Sequence, residues 1–195
     1  PLQRGRPSVL LFNGLPKKRQ DVHVAVVNLD VGRKDLQQCA DAVMRLRAEY
    51  LYSQGREAAI KFNMSDGRPL AFAAWANNDQ SYARLKVYLE RVFTYAGSHS
   101  LARELKGVAT PKEVRSGDVF IQGGFPGHAV LVVDVAERRK DGLRVFLLAQ
   151  SYMPAQEVHI LKNPSHEGLS PWYPADFAGE LLTPEWTFKA KDLKR

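Results

Sequence analysis

His128 and Gln150 stand at matching ends of two apolar segments. His128 begins the segment 128–136, Gln150 ends the segment 143–150, and six polar residues separate the two. Because Asp141-Gly142 is typical of a tight turn, the pattern predicts an antiparallel hairpin. A turn centred near residues 139–140 places His128 opposite residue 150 or so, and cross-strand Cβ atoms lie about 5 Å apart.

This adjacency has a chemical use. An imidazole acts as a general base when a second group on its far nitrogen fixes its tautomer, and a glutamine oxygen can accept that N–H. Gly127 closes a stretch with little side-chain bulk, so a substrate backbone has room to approach His128. The alternative is a hydrogen-bonded histidine at a strand end without chemistry, and the hairpin alone favours it.

Cys39 is the only cysteine, which excludes a disulfide within the chain. Asp35 and Gln38 have the spacing of a capping box and predict a helix over residues 36–52. Cys39 then lies one turn inside the helix on its apolar face, where a free cysteine is usually part of the core. A helix start at Gln37 or Gln38 would place the thiol at the helix N-terminus, which lowers the pKa of a thiol. A catalytic and a structural Cys39 are equally supported.

The remaining patterns predict an α+β fold in which N-terminal helices pack on an antiparallel sheet. Further helices are expected from Asp79 and from Ser98. Strands are expected over residues 22–31, 118–122, 128–136, 143–150 and 156–161, and a hairpin is expected from residues 58–64 and 70–75. Residues 163–195 are expected to form a loop that wraps the surface. The whole chain, 1–195, is interpreted as one domain, and its abrupt start at Pro1 suggests a truncated N-terminus.

Three sequence strings carry a family resemblance: DLQQCADAVMRLRAEYLY, GDVFIQGGFPGHAVLVVDVA and LLAQSYMPAQEVHILKNP. They resemble the bacterial domain-of-unknown-function family 4846 over most of the chain. The order of a helical cysteine, the segment GHAVLVV and a strand ending in a polar residue also resembles NlpC-type and CHAP-type hydrolases. Those proteins are papain-like cysteine peptidases and amidases that cut bacterial peptidoglycan.

The second resemblance implies a papain-like fold and a set of site residues. Cys39 would be the nucleophile, His128 the general base and Gln150 the orienting residue, with Gln38 supporting the oxyanion donor. Trp172 and Tyr173 are candidates to line a substrate groove, although such aromatic residues more often cover a core. The expected substrate is a peptide or a peptidoglycan fragment. The expected location is the bacterial cell envelope or periplasm, with a lipoprotein-type anchor as one form.

Charge and composition argue against several classes of function. The net charge is +7, but residues 1–19 carry five basic residues and no acid, and residues 189–195 carry four basic residues and one acid. No basic–aromatic stripe accompanies them, so nucleic-acid binding is not expected. The histidines lack metal-ligand spacing, and no metal, cofactor or transmembrane segment is predicted. A catalytically silent papain-like scaffold and an anion-binding surface that uses the basic ends remain alternatives. The oligomeric state stays open.

Overall fold

The structure is a computed structural model that describes residues 1–5, 7–177 and 179–195. The described residues form eleven strands: β1 His23–Val26, β2 Lys61–Asn63, β3 Pro69–Ala71, β4 Val119–Gln122, β5 His128–Glu137, β6 Arg144–Gln150, β7 His159–Leu161, β8 Tyr173–Pro174, β9 Glu180–Leu182, β10 Thr187–Lys189 and β11 Leu193–Lys194. They also form four α-helices: α1 Cys39–Ser53, α2 Phe72–Ala76, α3 Tyr82–Tyr95 and α4 Ser98–Glu104. The predicted α+β class is confirmed.

The central sheet is antiparallel and has seven strands. Its order is β1-β7-β6-β5-β4-β11, and β8 pairs with the outer part of β6. The hairpin of β5 and β6 forms its middle, where Leu131 pairs with Ala149 and Glu137 pairs with Arg144. The register shifts by one residue between Val132 and Asp134, a bulge that increases the local twist of the sheet.

Two layers cover the sheet, one on each face. Alternation along β5 and β6 sends small side chains such as Ala129 and Ala149 towards helix α1, so the helix packs closely against the sheet. The opposite face presents large apolar residues that pack with the C-terminal segment; they are Phe120, Val130, Val132, Phe146, Leu148, Tyr173, Leu181 and Phe188.

Helix α1 begins later than predicted. Its first residue is Cys39 and its N-cap is Gln38, whereas the sequence pattern placed the start near residue 36. The carboxylate of Asp41 accepts the backbone N–H of Gln38 at 3.0 Å and so caps the helix. Asp35 does not cap it, because its Oδ1 accepts the backbone N–H of Ala155 at 2.6 Å. The cysteine is therefore at the first helical position.

Two further predictions are wrong in detail. The hairpin near residue 66 is shorter than predicted, because the chain turns into helix α2 at Phe72. The segment 163–195 is not a surface loop, since it contributes strands β8 to β11. Strand β11 pairs with β4 at an edge of the central sheet, and β9 and β10 form a separate hairpin.

Several basic residues near the chain ends have acidic partners. Lys17 contacts Glu185 at 2.7 Å, Arg19 contacts Asp21 at 2.9 Å, and the Arg195 guanidinium contacts Asp118. These pairs reduce the positive charge available to an anionic ligand. Among the described helices, none has the length and the apolar composition that crossing a bilayer requires.

Candidate functional site

The structure brings His128 and Gln150 together at one end of the sheet. Nε2 of His128 lies 2.9 Å from Oε1 of Gln150, and the two residues are 1% and 2% exposed. Leu131 pairs with Ala149, so the same register places Gln150 opposite Val130 and diagonal to His128. Because β5 begins at His128, the imidazole stands at the end of the strand rather than in the middle of the sheet.

Aromatic rings surround the imidazole. The ring centroids of Tyr152, Trp186 and Phe188 lie 4.7, 5.3 and 5.9 Å from that of His128. Burial lowers the pKa of His128 to about 4, although its hydrogen bond to Gln150 acts in the opposite direction. The imidazole is therefore neutral at pH 7, which is the protonation state that a general base requires.

A polar network lies behind Gln150. Its amide Nε2 lies 2.7 Å from Oε2 of Glu185 and 3.3 Å from Nε2 of His159. The second oxygen of Glu185 accepts from Nζ of Lys17 at 2.7 Å. The far nitrogen of His159 lies 2.9 Å from the carbonyl oxygen of Glu157. The amide oxygen of Gln150 thus contacts His128, and its amide nitrogen contacts Glu185 and His159.

Sequence reasoning did not find Lys17, Tyr152, His159 and Glu185 as parts of this site. Tyr152 lies two residues after Gln150, and that spacing was the one available signal for it. Lys17 and Glu185 are separated by 168 residues, so no local pattern links them. The sequence spacing of His159 was not that of a metal ligand, and it gave no signal for any other role. In the structure, Nε2 of His159 lies 3.3 Å from the amide nitrogen of Gln150 and can accept its hydrogen bond. Among the described residues, no group of histidine, cysteine and acidic side chains is arranged to hold a metal ion.

Cys39 occupies the first position of helix α1, and its thiol lies beside the backbone of Ala129. Burial raises the pKa of the thiol, while the backbone N–H groups of Ala129 and Ala40 act to lower it. The first four N–H groups of a helix have no partner within the helix, so Cys39 lies among free donors. Because its pKa is raised, the thiol is neutral at pH 7. The side chain is also largely covered, since its exposed fraction is 9%.

Two hydrogen bonds hold the start of the helix next to the end of β6. Asp35 accepts from the backbone N–H of Ala155. The hydroxyl oxygen of Ser151 lies 2.7 Å from the carbonyl oxygen of Gln156 and 3.1 Å from that of Gln37, so its one hydrogen is shared between the two acceptors. Residues 35–37 lie two to four positions before Cys39, and residue 151 follows Gln150. The loop after β6 therefore joins the helix start to the strand end that carries Gln150.

Tyr152 lies in the loop after β6, two residues after Gln150. Its ring packs on His128, and its pKa is raised by burial first, and further by the charge of Glu185 and by the charge that Cys39 carries at the high pH where a phenol titrates. Cys39 itself belongs to the layer that packs on the Ala129 face, whereas the His128 ring stacks on Phe188 at the opposite layer. The loop after β6 contacts both layers, because Ser151 lies 3.1 Å from the carbonyl oxygen of Gln37 and Tyr152 packs on His128.

The other predicted site residues have different surroundings. Gln38 donates from Nε2 to Asp35 Oδ1 at 3.1 Å and remains partly exposed. Gly127 is closely packed, because an added Cβ would overlap Ser98 Oγ and lie 2.7 Å from the carbonyl oxygen of Gly124. The absence of a side chain at Gly127 therefore makes room for Ser98 and for the carbonyl oxygen of Gly124.

Trp172 and Tyr173 lie away from Gln150. Tyr173 pairs with Phe146, four residues before Gln150, which corresponds to about 13 Å along the strand. Its ring stacks on Phe146 within the core, and its hydroxyl donates to the backbone carbonyl oxygen of Lys162. Tyr173 is therefore buried and does not line a groove. Trp172 is partly exposed beside it.

Comparison with known proteins identifies the family but no activity. A family model described as Domain of unknown function (4846) matches residues 1–195. The chain belongs to this family. The searches of curated proteins and of solved structures found no match. Any function assigned to this family member therefore depends on the geometry of its own site.

The buried histidines make a prediction about acid stability. Burial lowers the pKa of His159 to about 3, below the value near 6.5 of an unfolded chain. The unfolded state therefore binds more protons below pH 6.5, and His159 makes the protein lose stability as the pH falls from about 6.5 towards 3. In His159→Gln, we expect the free energy of unfolding to fall less steeply as the pH decreases. The slope should be smaller than in the wild type by up to about 1.4 kcal/mol per pH unit.

Urea unfolding between pH 4 and pH 7 measures this slope. His166→Gln is the matched control, because the exposed His166 side chain is in water in both states and its removal should leave the slope unchanged. Equal slopes in wild type and His159→Gln would contradict the neutral, buried imidazole.

Proposed function

We propose that this protein is a papain-like cysteine hydrolase that acts on peptide or amide bonds. The observation that carries the proposal is the hydrogen bond between His128 and Gln150, next to a helix that begins at Cys39. In this assignment Cys39 is the nucleophile, His128 the general base and Gln150 the residue that orients the imidazole. The segments GHAVLVV and DLQQCADAV, which resemble those of NlpC-type and CHAP-type enzymes, support the same assignment.

Both the thiol and the imidazole are neutral at rest, so proton transfer accompanies the attack. The sulfur of Cys39 bonds to the substrate carbonyl carbon while Nδ1 of His128 accepts the thiol proton. The backbone N–H of Cys39 stabilises the oxyanion, with Gln38 in support. The C–N bond then breaks as His128 returns the proton to the leaving amine, and a thioester remains. Water attacks the thioester carbon while His128 takes a proton from that water. The C–S bond then breaks, the acid leaves, and His128 returns the proton to the sulfur, which regenerates the neutral Cys39 thiol.

Exposed apolar side chains near the strand ends support a ligand that lies across the site. Phe125 is 98% exposed three residues before His128, and Met153 is 56% exposed three residues after Gln150. Exposed aromatic and methionine side chains are typical of contact surfaces. The net charge of +7 favours an anionic polymer. We propose bacterial peptidoglycan as the substrate and the cell envelope as the location.

A second candidate is a silent scaffold that binds a cell-wall fragment without cutting it. The low exposure of Cys39 and the raised pKa of its thiol favour this alternative, because a nucleophile must reach its substrate. The two candidates differ in one observable result. The enzyme releases new amine termini from peptidoglycan, whereas the scaffold sediments with peptidoglycan and leaves it intact.

The first test is digestion of purified peptidoglycan, with the released fragments measured by mass spectrometry. We expect the wild type to release fragments, and Cys39→Ala to lose at least about 1,000-fold of that rate, since removal of a nucleophile leaves little residual catalysis. Val87→Ala is the matched control, because it shortens an apolar side chain that is exposed on helix α3. A folded Cys39→Ala protein with wild-type activity would exclude the mechanism.

The second test is the pH dependence of digestion at low substrate concentration. The pKa of His128 is lowered to about 4, and a general base is active only when it is unprotonated. Activity should therefore persist as the pH falls below 6 and decline near pH 4. Tyr152→Ala exposes the imidazole to water, so it should move this decline towards pH 6.5. A decline near pH 6.5 in the wild type would rule out the buried base.

A further inference from the structure

Glu185 controls which atom of the Gln150 amide faces His128. The carboxylate is 11% exposed, and its Oε1 accepts a hydrogen bond from the ammonium group of Lys17 at 2.7 Å. An ionised carboxylate only accepts hydrogen bonds, so the group that lies 2.7 Å from its Oε2 must be a donor. The NH2 group of Gln150 therefore faces Glu185, and the amide oxygen faces His128.

His159 supports the same orientation independently. Its Nδ1 lies 2.9 Å from a carbonyl oxygen and must donate, so Nε2 of the neutral ring is an acceptor. That acceptor lies 3.3 Å from Nε2 of Gln150 and takes the second amide hydrogen. A flipped amide would place an oxygen against two acceptors, and both groups therefore exclude it.

The orientation of the amide determines the tautomer of His128. Oε1 of Gln150 has no hydrogen, so Nε2 of His128 must donate across the 2.9 Å contact. A neutral imidazole has one N–H, and Nδ1 then has a free lone pair. We propose that Glu185, held by Lys17, is a positioning residue that fixes the tautomer of His128 through Gln150. A contribution of Glu185 to catalysis depends on the proposed function. The tautomer of His128 does not depend on it and can be measured separately.

Glu185→Gln tests the chain of contacts directly. Lys17 has only donors, so the new amide must turn its oxygen to Lys17 and its NH2 group to Gln150. The 2.7 Å contact with position 185 is shorter than the 3.3 Å contact with His159, so we expect it to decide the orientation against the preference of His159. Gln150 then flips and presents its own NH2 group to His128. We expect the hydrogen of His128 to move from Nε2 to Nδ1, where it blocks the base, with a loss of about 100-fold in the digestion rate.

The matched control is the double variant Lys17→Met/Glu185→Gln. Without the ammonium group, the amide at position 185 can turn its oxygen to Gln150, and His159 favours the original orientation. We expect the wild-type tautomer and most of the digestion rate to return. A role limited to stability predicts instead that both variants keep the wild-type tautomer and that the double variant is the less stable.

The measurement is the side-chain 15N spectrum at pH 7, in which protonated and unprotonated ring nitrogens are distinguished. The signal of His128 is assigned by its loss in His128→Gln. An unprotonated Nδ1 in the wild type, its protonation in Glu185→Gln and its recovery in the double variant support the inference. A protonated Nδ1 in the wild type overturns it, even if no variant folds, and so does an unchanged tautomer in Glu185→Gln. A tautomer that switches in a protein without hydrolytic activity would reject the enzyme and retain the positioning role.

Discussion

A buried carboxylate with an ammonium partner is the constraint on which the arrangement of the site depends. Lys17 and Glu185 lie 2.7 Å apart, and their side chains are 7% and 11% exposed. Removal of one partner from a buried pair of this kind costs about 3–5 kcal/mol, because the other charge remains without compensation. Because Glu185 can only accept, it turns the amide nitrogen of Gln150 away from His128, and His159 favours the same orientation.

The site draws on four distant parts of the chain. Lys17 comes from the N-terminal segment, Cys39 from the start of α1, His128 and Gln150 from the central hairpin, and Glu185 from the turn between β9 and β10. Burial is the shared physical effect, because it keeps the imidazole neutral and strengthens each hydrogen bond in the network. The same burial covers the thiol. For the proposed hydrolase, the open approach is the end of the sheet, where Phe125 and Met153 are exposed.

The sequence predicted the hairpin and the meeting of His128 with Gln150, because alternation and a turn dipeptide determine the register of two neighbouring strands. It missed the start of α1, since apolar spacing continues through Leu36 although Asp35 bonds to a distant loop instead of capping the helix. Strands β8 to β11 have two or three residues each, too few to show a period of two. The contact between Lys17 and Glu185 forms only after the C-terminal segment has packed, so local patterns contain no trace of it.

The central claim is that the imidazole of His128 acts on the thiol of Cys39, and the rate at which Cys39 reacts with iodoacetamide at pH 7 tests it most directly. Cys39 is the only thiol, so labelling reports one site. Wild type and His128→Asn should bury this thiol to a similar extent, and the ratio of their rates isolates the effect of the imidazole. We expect the wild type to react at least about tenfold faster, because a general base assists removal of the thiol proton. Equal rates in the two folded proteins would contradict the claim.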